Sequence, residues 1–172
     1  MVNPWYVRKE QEIKNVLERE GFIILFDFLE QEELKELKRR KKFPAKKINK
    51  ILQGVYVESS FSWHDDFLLK IVGRHIPWKA MEFSQRDYLI RNDNSNMKKG
   101  TYALFNLDEG DSERDDKGGG YAVFIDAEGN HLRVPSVRNS LTLVKNPKSW
   151  YVKYVNCLSK GKRRFLMGSG KN

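Results

Sequence analysis

The sequence predicts an α+β protein, with helices mainly in its N-terminal half and an antiparallel β-core near its C-terminus. Two observations lead to this prediction. Between Gly118 and Gly168, several short apolar, β-branched and aromatic runs are each ended by a turn signal, which is typical of a sandwich or barrel. Earlier in the chain, charged segments carry apolar residues at helical spacing. No repeat or linker divides the sequence, so we expect one domain over residues 1–172.

Three helices and a buried strand are predicted in the N-terminal half. The first helix runs from Val7 to Glu20 and ends at Gly21, and the apolar run from Phe22 to Leu29 is a strand. A second helix, from Glu30 to Lys42, has acidic residues in its first turn and basic residues in its last. A third helix is expected from an N-cap at Ser62 to Val72.

The other apolar runs predict strands. Their spacing and their content of β-branched and aromatic residues favour an antiparallel arrangement. The predicted strands are Ile51 to Val57, a short strand ending at Ile90, Thr101 to Leu107, Tyr121 to Ile125, His131 to Val134, Ser140 to Val144, Trp150 to Val155 and Arg164 to Met167.

The chain is strongly basic. Its 32 Lys and Arg residues exceed its 23 Asp and Glu residues, which gives a formal charge of +9. Such a surplus favours an anionic partner, for example nucleic acid or an acidic protein. The densest run of basic residues, called the basic segment below, contains Arg39, Arg40, Lys41, Lys42, Lys46 and Lys47. The simpler interpretation of this segment is a solvated helix end with a loop, and the functional interpretation is a patch that contacts phosphates.

Cysteine content and hydropathy narrow the class of protein. Cys157 is the single cysteine, so neither an internal disulfide nor a cysteine-based metal cluster can form. No apolar run resembles a signal peptide or reaches the length of about 20 residues that a membrane helix needs. We therefore expect a cytoplasmic protein that does not interact with membranes.

The histidines do not form a recognisable metal or catalytic motif. His64 and Asp66 have His-x-Asp spacing, but their place at a predicted helix start favours a capping region over a metal site. His131 alternates with Arg133 along its predicted strand, which puts it on the polar face. The glycines from Gly118 to Gly120 open a strand and not a helix, so they indicate a turn and not a phosphate loop.

The order of these segments resembles that of the 2-oxoglutarate- and Fe(II)-dependent dioxygenases, specifically the prolyl-hydroxylase-like branch. The segment GFIILFDFLEQEELKEL is similar to the opening strand and helix of that family. YALFNL, GGGYAVFIDAEGN, VPSVRNSLTLV, SWYVKYV and GKRRFLMG then follow the order of the family's core strands. The resemblance covers residues 21–168. It implies a double-stranded β-helix core (jelly roll, cupin-like) over about residues 81–170, with N-terminal supporting helices and a strand over about residues 1–80.

The resemblance also implies a cosubstrate site. The family uses a His-x-Asp pair and a distal histidine to hold iron, and a basic residue to hold oxoglutarate. The oxoglutarate-binding position corresponds to Arg164 or Arg163, and Asn139 matches a common asparagine at a strand start. Because neighbouring residues of a strand point to opposite faces, only one of the two arginines can face inward.

The metal-binding positions that the resemblance implies carry other residues. No histidine is available at them, Asp93 is the one carboxylate candidate, and an arginine beside it disfavours a cation. These positions are Asn92 and Asn94, or Arg91 and Asp93, for the pair, and Trp150 and Tyr151 for the distal histidine.

Two hypotheses follow. The first is a dioxygenase-fold protein with a degenerate metal site and no cofactor, acting as a non-catalytic binding or regulatory protein for an acidic protein or nucleic acid. The alternative is an active oxygenase that uses Fe(II) and 2-oxoglutarate, draws an atypical metal set from Asp93, His131 or His64, and hydroxylates a protein or nucleic-acid substrate. A structural subunit that only presents loops to a partner is a third possibility.

Overall fold

A computed structural model describes most of the chain. The described residues are 1–39, 46–50, 54–63, 65–89, 97, 99–107, 119–153, 155 and 162–171, with the backbone alone for residues 46–50 and 171. None of the helices in these ranges is long and apolar enough to span a membrane.

Four helices and eleven strands occur in these ranges. The helices are α1 (Pro4–Arg8), α2 (Glu10–Glu20), α3 (Gln31–Arg39) and α4 (Asp66–Val72). The strands are β1 (Phe22–Leu25), β2 (Lys46–Lys50), β3 (Gly54–Phe61), β4 (Trp78–Phe83), β5 (Tyr88–Leu89), β6 (Gly100–Asn106), β7 (Ala122–Ile125), β8 (His131–Arg133), β9 (Leu141–Lys145), β10 (Ser149–Val152) and β11 (Arg163–Lys171).

All these strands belong to one curled antiparallel sheet. Their order is β1-β9-β6-β11-β4-β3-β5-β10-β7-β8, and β2 pairs with β3. Strand β3 joins the two halves, because its C-terminal part pairs with β4 and its first two residues pair with β5. We call β1, β9, β6, β11 and β4 the broad half, and β5, β10, β7 and β8 the narrow half. This arrangement confirms the predicted α+β fold with a double-stranded β-helix core.

Two apolar clusters lie on the two faces of the broad half. The first packs the helices against its outer face, with Phe28, Leu34 and Leu37 fully buried there. The second fills the space between the broad and narrow halves and is called the β-helix interior below. The buried members of the interior are Met81, Phe83, Tyr102, Leu104, Ala122, Phe124, Val134, Val144, Val152, Val155, Phe165 and Met167.

The N-terminal predictions are correct in kind and differ in their bounds. The first helix is divided at Lys9 into α1 and α2, and Gly21 ends α2 with φ 75°. This left-handed conformation costs glycine less than other residues. Strand β1 ends at Leu25, before the predicted end at Leu29, because the backbone turns at Asp27 with φ 48°.

The predicted N-cap of the third helix is wrong. The N-cap of α4 is Asp65 and not Ser62: the Asp65 carboxylate accepts a hydrogen bond from the Leu68 amide at 2.9 Å. Burial raises the pKa of this carboxyl group above its usual value, against the lowering effect of that hydrogen bond. The strand predicted from Ile51 to Val57 corresponds to β3, whose described residues begin at Gly54, since residues 51–53 lie outside the described ranges. Strand β2, over Lys46–Lys50, was not predicted.

Asn139 joins the N-terminal layer to the β-helix. Its side-chain amide donates to the Leu29 carbonyl at 2.8 Å and accepts from the Leu29 amide at 2.9 Å. Its own carbonyl accepts from the Phe28 amide, and its amide donates to the Asn106 carbonyl. Asn139 is buried with φ 60°, a conformation that asparagine tolerates better than most residues. The structure thus gives Asn139 a structural role, and its cosubstrate contact, which the resemblance implies, stays a prediction.

We expect Asn139→Ala to lower the free energy of unfolding by roughly 2–4 kcal/mol, because two buried backbone groups of Leu29 lose their partners. Asn139→Gly should cost about 1 kcal/mol less, since glycine adopts a positive φ without strain. Urea denaturation monitored by circular dichroism measures both. Asn146→Ala is the control, because Asn146 also has a positive φ but is exposed, and its side chain accepts one backbone hydrogen bond, from the Gly100 amide at 2.8 Å. Equal losses at the two positions would contradict this structural role.

Candidate functional site

Strand β11 determines which arginine faces the β-helix interior. Phe165 and Met167 belong to the interior cluster, and Leu166 belongs to the helical cluster on the opposite face. Arg163 therefore shares the inward face with Phe165, and its side chain is 7% exposed. Arg164 shares the outward face with Leu166 and is half-buried. Of the two positions implied by the resemblance, Arg163 is the inward one.

The Arg163 side chain passes close to the glycines that open β7. A Cβ atom added at Gly120 would lie 2.8 Å from Cγ of Arg163 and 3.1 Å from Cγ2 of Val155. Real Cβ atoms do not approach other heavy atoms this closely, and Gly120 also has φ 76°. A side chain at this position would therefore displace Arg163 or the backbone. This close approach gives the glycine run a packing role, in addition to the turn that the sequence predicts.

A small cavity lies beside Arg163. Its volume is about 10 Å³, and its lining includes Asn106, Gly120, Ser136 and Phe165. This is room for roughly one water molecule. The Asn106 amide donates to the Pro135 carbonyl at 2.9 Å and to the Ser140 hydroxyl at 3.0 Å, so its donors are already used.

Aromatic rings fill much of the remaining interior. Tyr56 stacks on Phe83 with ring centroids 5.3 Å apart, and Phe83 stacks on Phe165 at 5.5 Å. Trp150 meets Phe165 edge-on at 6.5 Å and contacts Phe124 at 6.3 Å. Burial, and less strongly the nearby carboxylate of Glu58, raise the pKa of Tyr56, so this phenol stays neutral at physiological pH. The five rings, Tyr56, Phe83, Phe165, Trp150 and Phe124, form a continuous chain through the β-helix and are called the ring chain below.

Trp150 and Tyr151 lie on opposite faces of β10. Trp150 packs against the interior, as does Val152 two residues later. Tyr151 lies on the outer face, where its ring meets that of His131 at 6.2 Å. Trp150 is thus the residue that occupies the inward position at which the resemblance implies a distal histidine.

The overall fold of the chain matches that of several solved structures. No family model matches the chain, and no curated protein matches it. Solved structures do. The prolyl-4-hydroxylase of Pseudomonas putida matches with a TM-score of 0.72 and 13% identity, over 95% of this chain and 98% of that chain.

Two further structures match to a similar degree. A prolyl hydroxylase of Trichoplax adhaerens, in complex with a hypoxia inducible factor peptide fragment, has a TM-score of 0.71 and 14% identity, over 97% of this chain and 93% of that chain. A 2OG-Fe(II) oxygenase family oxidoreductase of Burkholderia pseudomallei has a TM-score of 0.70 and 11% identity, over 93% and 89%. The chain has the fold of the 2-oxoglutarate/Fe(II) oxygenases.

Among the described residues, the interior of this fold is closely packed around Arg163 and Trp150. The inward position on β10 holds an indole, which has no lone pair to offer a metal. The cavity beside Arg163, at about 10 Å³, is far smaller than a five-carbon dicarboxylate.

The positions implied for the His-x-Asp pair lie outside the described residues. The structure does not describe residues 91–96, which include Arg91, Asn92, Asp93 and Asn94. His64 also lies outside the described ranges. Within the described ranges, no three His, Cys, Asp or Glu side chains are grouped as a metal site requires. His131 is exposed on the outer face of β8, so it cannot contribute to an interior metal set as the alternative hypothesis supposed.

The basic segment is described only in part. Arg39 is exposed at the C-terminal end of α3, and the residues from Arg40 to Lys42 lie outside the described ranges. Lys46 and Lys47 belong to β2, whose backbone pairs with β3. The structure therefore places these two lysines on a strand, where the sequence predicted a loop.

Sequence reasoning missed the ring chain apart from Trp150. Its members come from β3, β4, β7, β10 and β11, which are far apart in the sequence. The available signal was the alternation within each strand, since Phe83 and Phe165 occupy inward positions of their strands. Alternation alone does not say which inward positions meet across the β-helix.

We expect Trp150→Ala to lower the free energy of unfolding by about 3 kcal/mol, because it removes a ring from the interior. The neighbouring variant, Tyr151→Ala, should cost only about 1 kcal/mol, because Tyr151 lies on the outer face. Chemical denaturation of both variants under identical conditions provides the measurement. A larger loss for Tyr151→Ala than for Trp150→Ala would contradict the assignment of the two faces.

Proposed function

We propose that this protein is a non-catalytic member of the oxygenase fold that binds an anionic partner, with a regulatory role. The observation that carries this proposal is the ring chain, with Trp150 at the inward position where a metal-binding histidine is implied. Rings that pack together stabilise a β-helix interior. A cosubstrate pocket requires that the same space stay open.

The donor chemistry supports the same proposal. A non-haem Fe(II) site of this class needs two histidines and a carboxylate on one face of the metal, with open positions for the reactants. The positions implied for the histidines carry Asn or Arg at residues 91–94 and Trp at residue 150. Amide oxygens and an indole bind Fe(II) far more weakly than imidazoles, and a guanidinium repels it.

Arg163 is the one part of the implied oxoglutarate site that faces the interior. Its guanidinium group could hold an anion, but the space beside it accepts a ligand no larger than about one water molecule. The packed interior thus favours a structural use of Arg163 over cosubstrate binding.

The partner is proposed from charge. A formal charge of +9 attracts polyanions and accelerates their association at low salt. The basic segment contains six of these cations between Arg39 and Lys47 in the sequence, of which Arg39 ends α3 and Lys46 and Lys47 belong to β2. It is therefore the first surface at which an acidic protein or a nucleic acid would dock.

Protein purified without oxygen and incubated with Fe(II) and 2-oxoglutarate tests the catalytic alternative. We expect far less than one iron per chain by elemental analysis, and no succinate above the level in a protein-free control. An active oxygenase used in parallel confirms that the assay works. Stoichiometric iron, with succinate formation that is lost in Asp93→Ala, would overturn the proposal in favour of an oxygenase with an atypical metal set.

Reversal of the charges at Arg39, Arg40, Lys41 and Lys42 to Glu should weaken binding to heparin, used as a model polyanion, and flatten its salt dependence, because each phosphate- or sulfate-like contact releases counterions. Binding is measured by fluorescence anisotropy over a series of salt concentrations. A control variant carries the same charge change at exposed or half-buried cations of α1, α2 and α4. The control positions are Arg8, Lys14, Arg19 and Lys70. Equal effects in the two variants would show that net charge, and not the basic segment, determines binding.

A further inference from the structure

The narrow half of the sheet has an inner and an outer face, and the position of a residue along its strand determines to which face its side chain points. Strands β5, β10, β7 and β8 are neighbours in that order. Six residues of these strands pack against the β-helix interior: Leu89, Trp150, Val152, Ala122, Phe124 and Leu132. Because side chains alternate along a strand, the residues beside these six point outward. Three of the outward residues, Val123, Ile125 and Ser149, are buried. The outer tyrosine face is the name used below for six others: Tyr88, Tyr121, His131, Arg133, Tyr151 and Lys153.

The outer tyrosine face combines aromatic rings with cations. Its six side chains are three tyrosines, an arginine, a lysine and a histidine, with no carboxylate among them. Arg133, Lys153 and His131 are exposed, and the tyrosines are half-buried. The carboxylate of Asp87, which directly precedes β5, is buried and accepts a hydrogen bond from the Ser84 amide at 2.8 Å. Asp126 and Glu128 lie in the turn between β7 and β8.

The Asp126 carboxylate forms hydrogen bonds within that turn. Its carboxylate accepts from the Asn130 backbone amide at 2.7 Å and from the Asn130 side chain at 2.8 Å. These bonds hold Asp126 in the turn itself. The acidic turn is therefore a boundary of the outer tyrosine face.

The rings and cations contact one another across three adjacent strands. The Arg133 guanidinium lies 4.1 Å from the centroid of the Tyr121 ring, and the Lys153 ammonium lies 5.4 Å from the same centroid. The backbone fixes this group, since the Lys153 amide donates to the Tyr121 carbonyl at 3.0 Å and Arg133 pairs with Val123 of β7. Cations held over a ring are already oriented, so less conformational entropy is lost when they meet an anion.

We propose that the outer tyrosine face binds single-stranded nucleic acid. Arg133 and Lys153 contact phosphates, and bases stack on the tyrosine and histidine rings and on the plane of the Arg133 guanidinium. This inference rests on the proposed binding of an anionic partner, and it names the class of partner and a second surface for it.

The combination of residues favours this partner over an acidic protein. A sheet surface that interleaves aromatic rings with cations is the arrangement that proteins use to hold unstacked bases and their phosphates together. An acidic peptide would use the cations alone and would leave the three tyrosines without a function. A duplex keeps its bases stacked inside, so its bases could not reach the rings.

Fluorescence anisotropy with a labelled 12-nucleotide oligouridylate tests the proposal. Arg133→Gln with Lys153→Gln should weaken binding at least tenfold at low salt. It should also reduce the slope of log K against log salt by about 1.4, the value for two phosphate contacts on a single strand. A control double variant, Arg8→Gln with Lys99→Gln, removes the same charge from exposed residues elsewhere and should change little.

Variants of Tyr151 separate stacking from charge. Tyr151→Leu should weaken binding several-fold with an unchanged salt slope, and Tyr151→Phe should restore it, because stacking needs the ring and not the hydroxyl. Thermal melts confirm that each variant is folded. If a variant melts early, the exposed single substitution Lys153→Gln still tests the surface.

The outcomes distinguish this inference from the proposed function. Equal binding of a 12-residue oligoglutamate, or no effect of Tyr151→Leu, would overturn the choice of nucleic acid and leave an anionic partner. Loss of oligouridylate binding only in the Arg39–Lys42 variant would place the contact on the basic segment. No binding of oligouridylate, oligoglutamate or heparin by the wild-type protein would overturn both.

Discussion

The pairing of β11 with β4 and β6 is the constraint on which the other parts of the structure depend. This strand, Arg163–Lys171, lies between β6 and β4 in the broad half and contributes to both apolar clusters. Its helical face has no room for larger residues: a Cβ atom at Gly168 would lie 2.2 Å from Cγ2 of Ile76. The same register turns Phe165 and Arg163 inward, so a slip by one residue would exchange the two faces.

The interior shows how one fold can serve as a container or as a packed core. In this protein the ring chain lies between the broad and narrow halves of the sheet, and the cavity beside Arg163 has a volume of only about 10 Å³. Each aromatic pair of this kind contributes about 0.5–1.5 kcal/mol beyond the area that it buries. The proposed function rests on this packing, because a cosubstrate would need the same space to stay open. The proposed sites of binding accordingly lie on outer surfaces.

Local structure was predictable where the signal was local. The glycines at residues 21 and 73 end α2 and α4, and the strands of the C-terminal half follow the apolar runs between turn signals. Bounds were less predictable where two polar residues compete, as at the start of α4, where Asp65 and not Ser62 reaches the free amide. The task of Asn139 could not be predicted, since its partner Leu29 is 110 residues away in the chain.

The sequence by itself determined the α+β fold class with its antiparallel β-core, because periodicity and turn signals are local properties. The order of the core strands and the positions expected for metal-binding histidines were implied by the family resemblance. Only the tertiary structure decided that Arg163 faces inward, that Trp150 lies inside while Tyr151 lies outside, and that Tyr121 meets Arg133 and Lys153. The physical reason is that alternation along a strand defines two faces but does not show which of them is buried. The neighbouring strands and helices that pack against one face decide this.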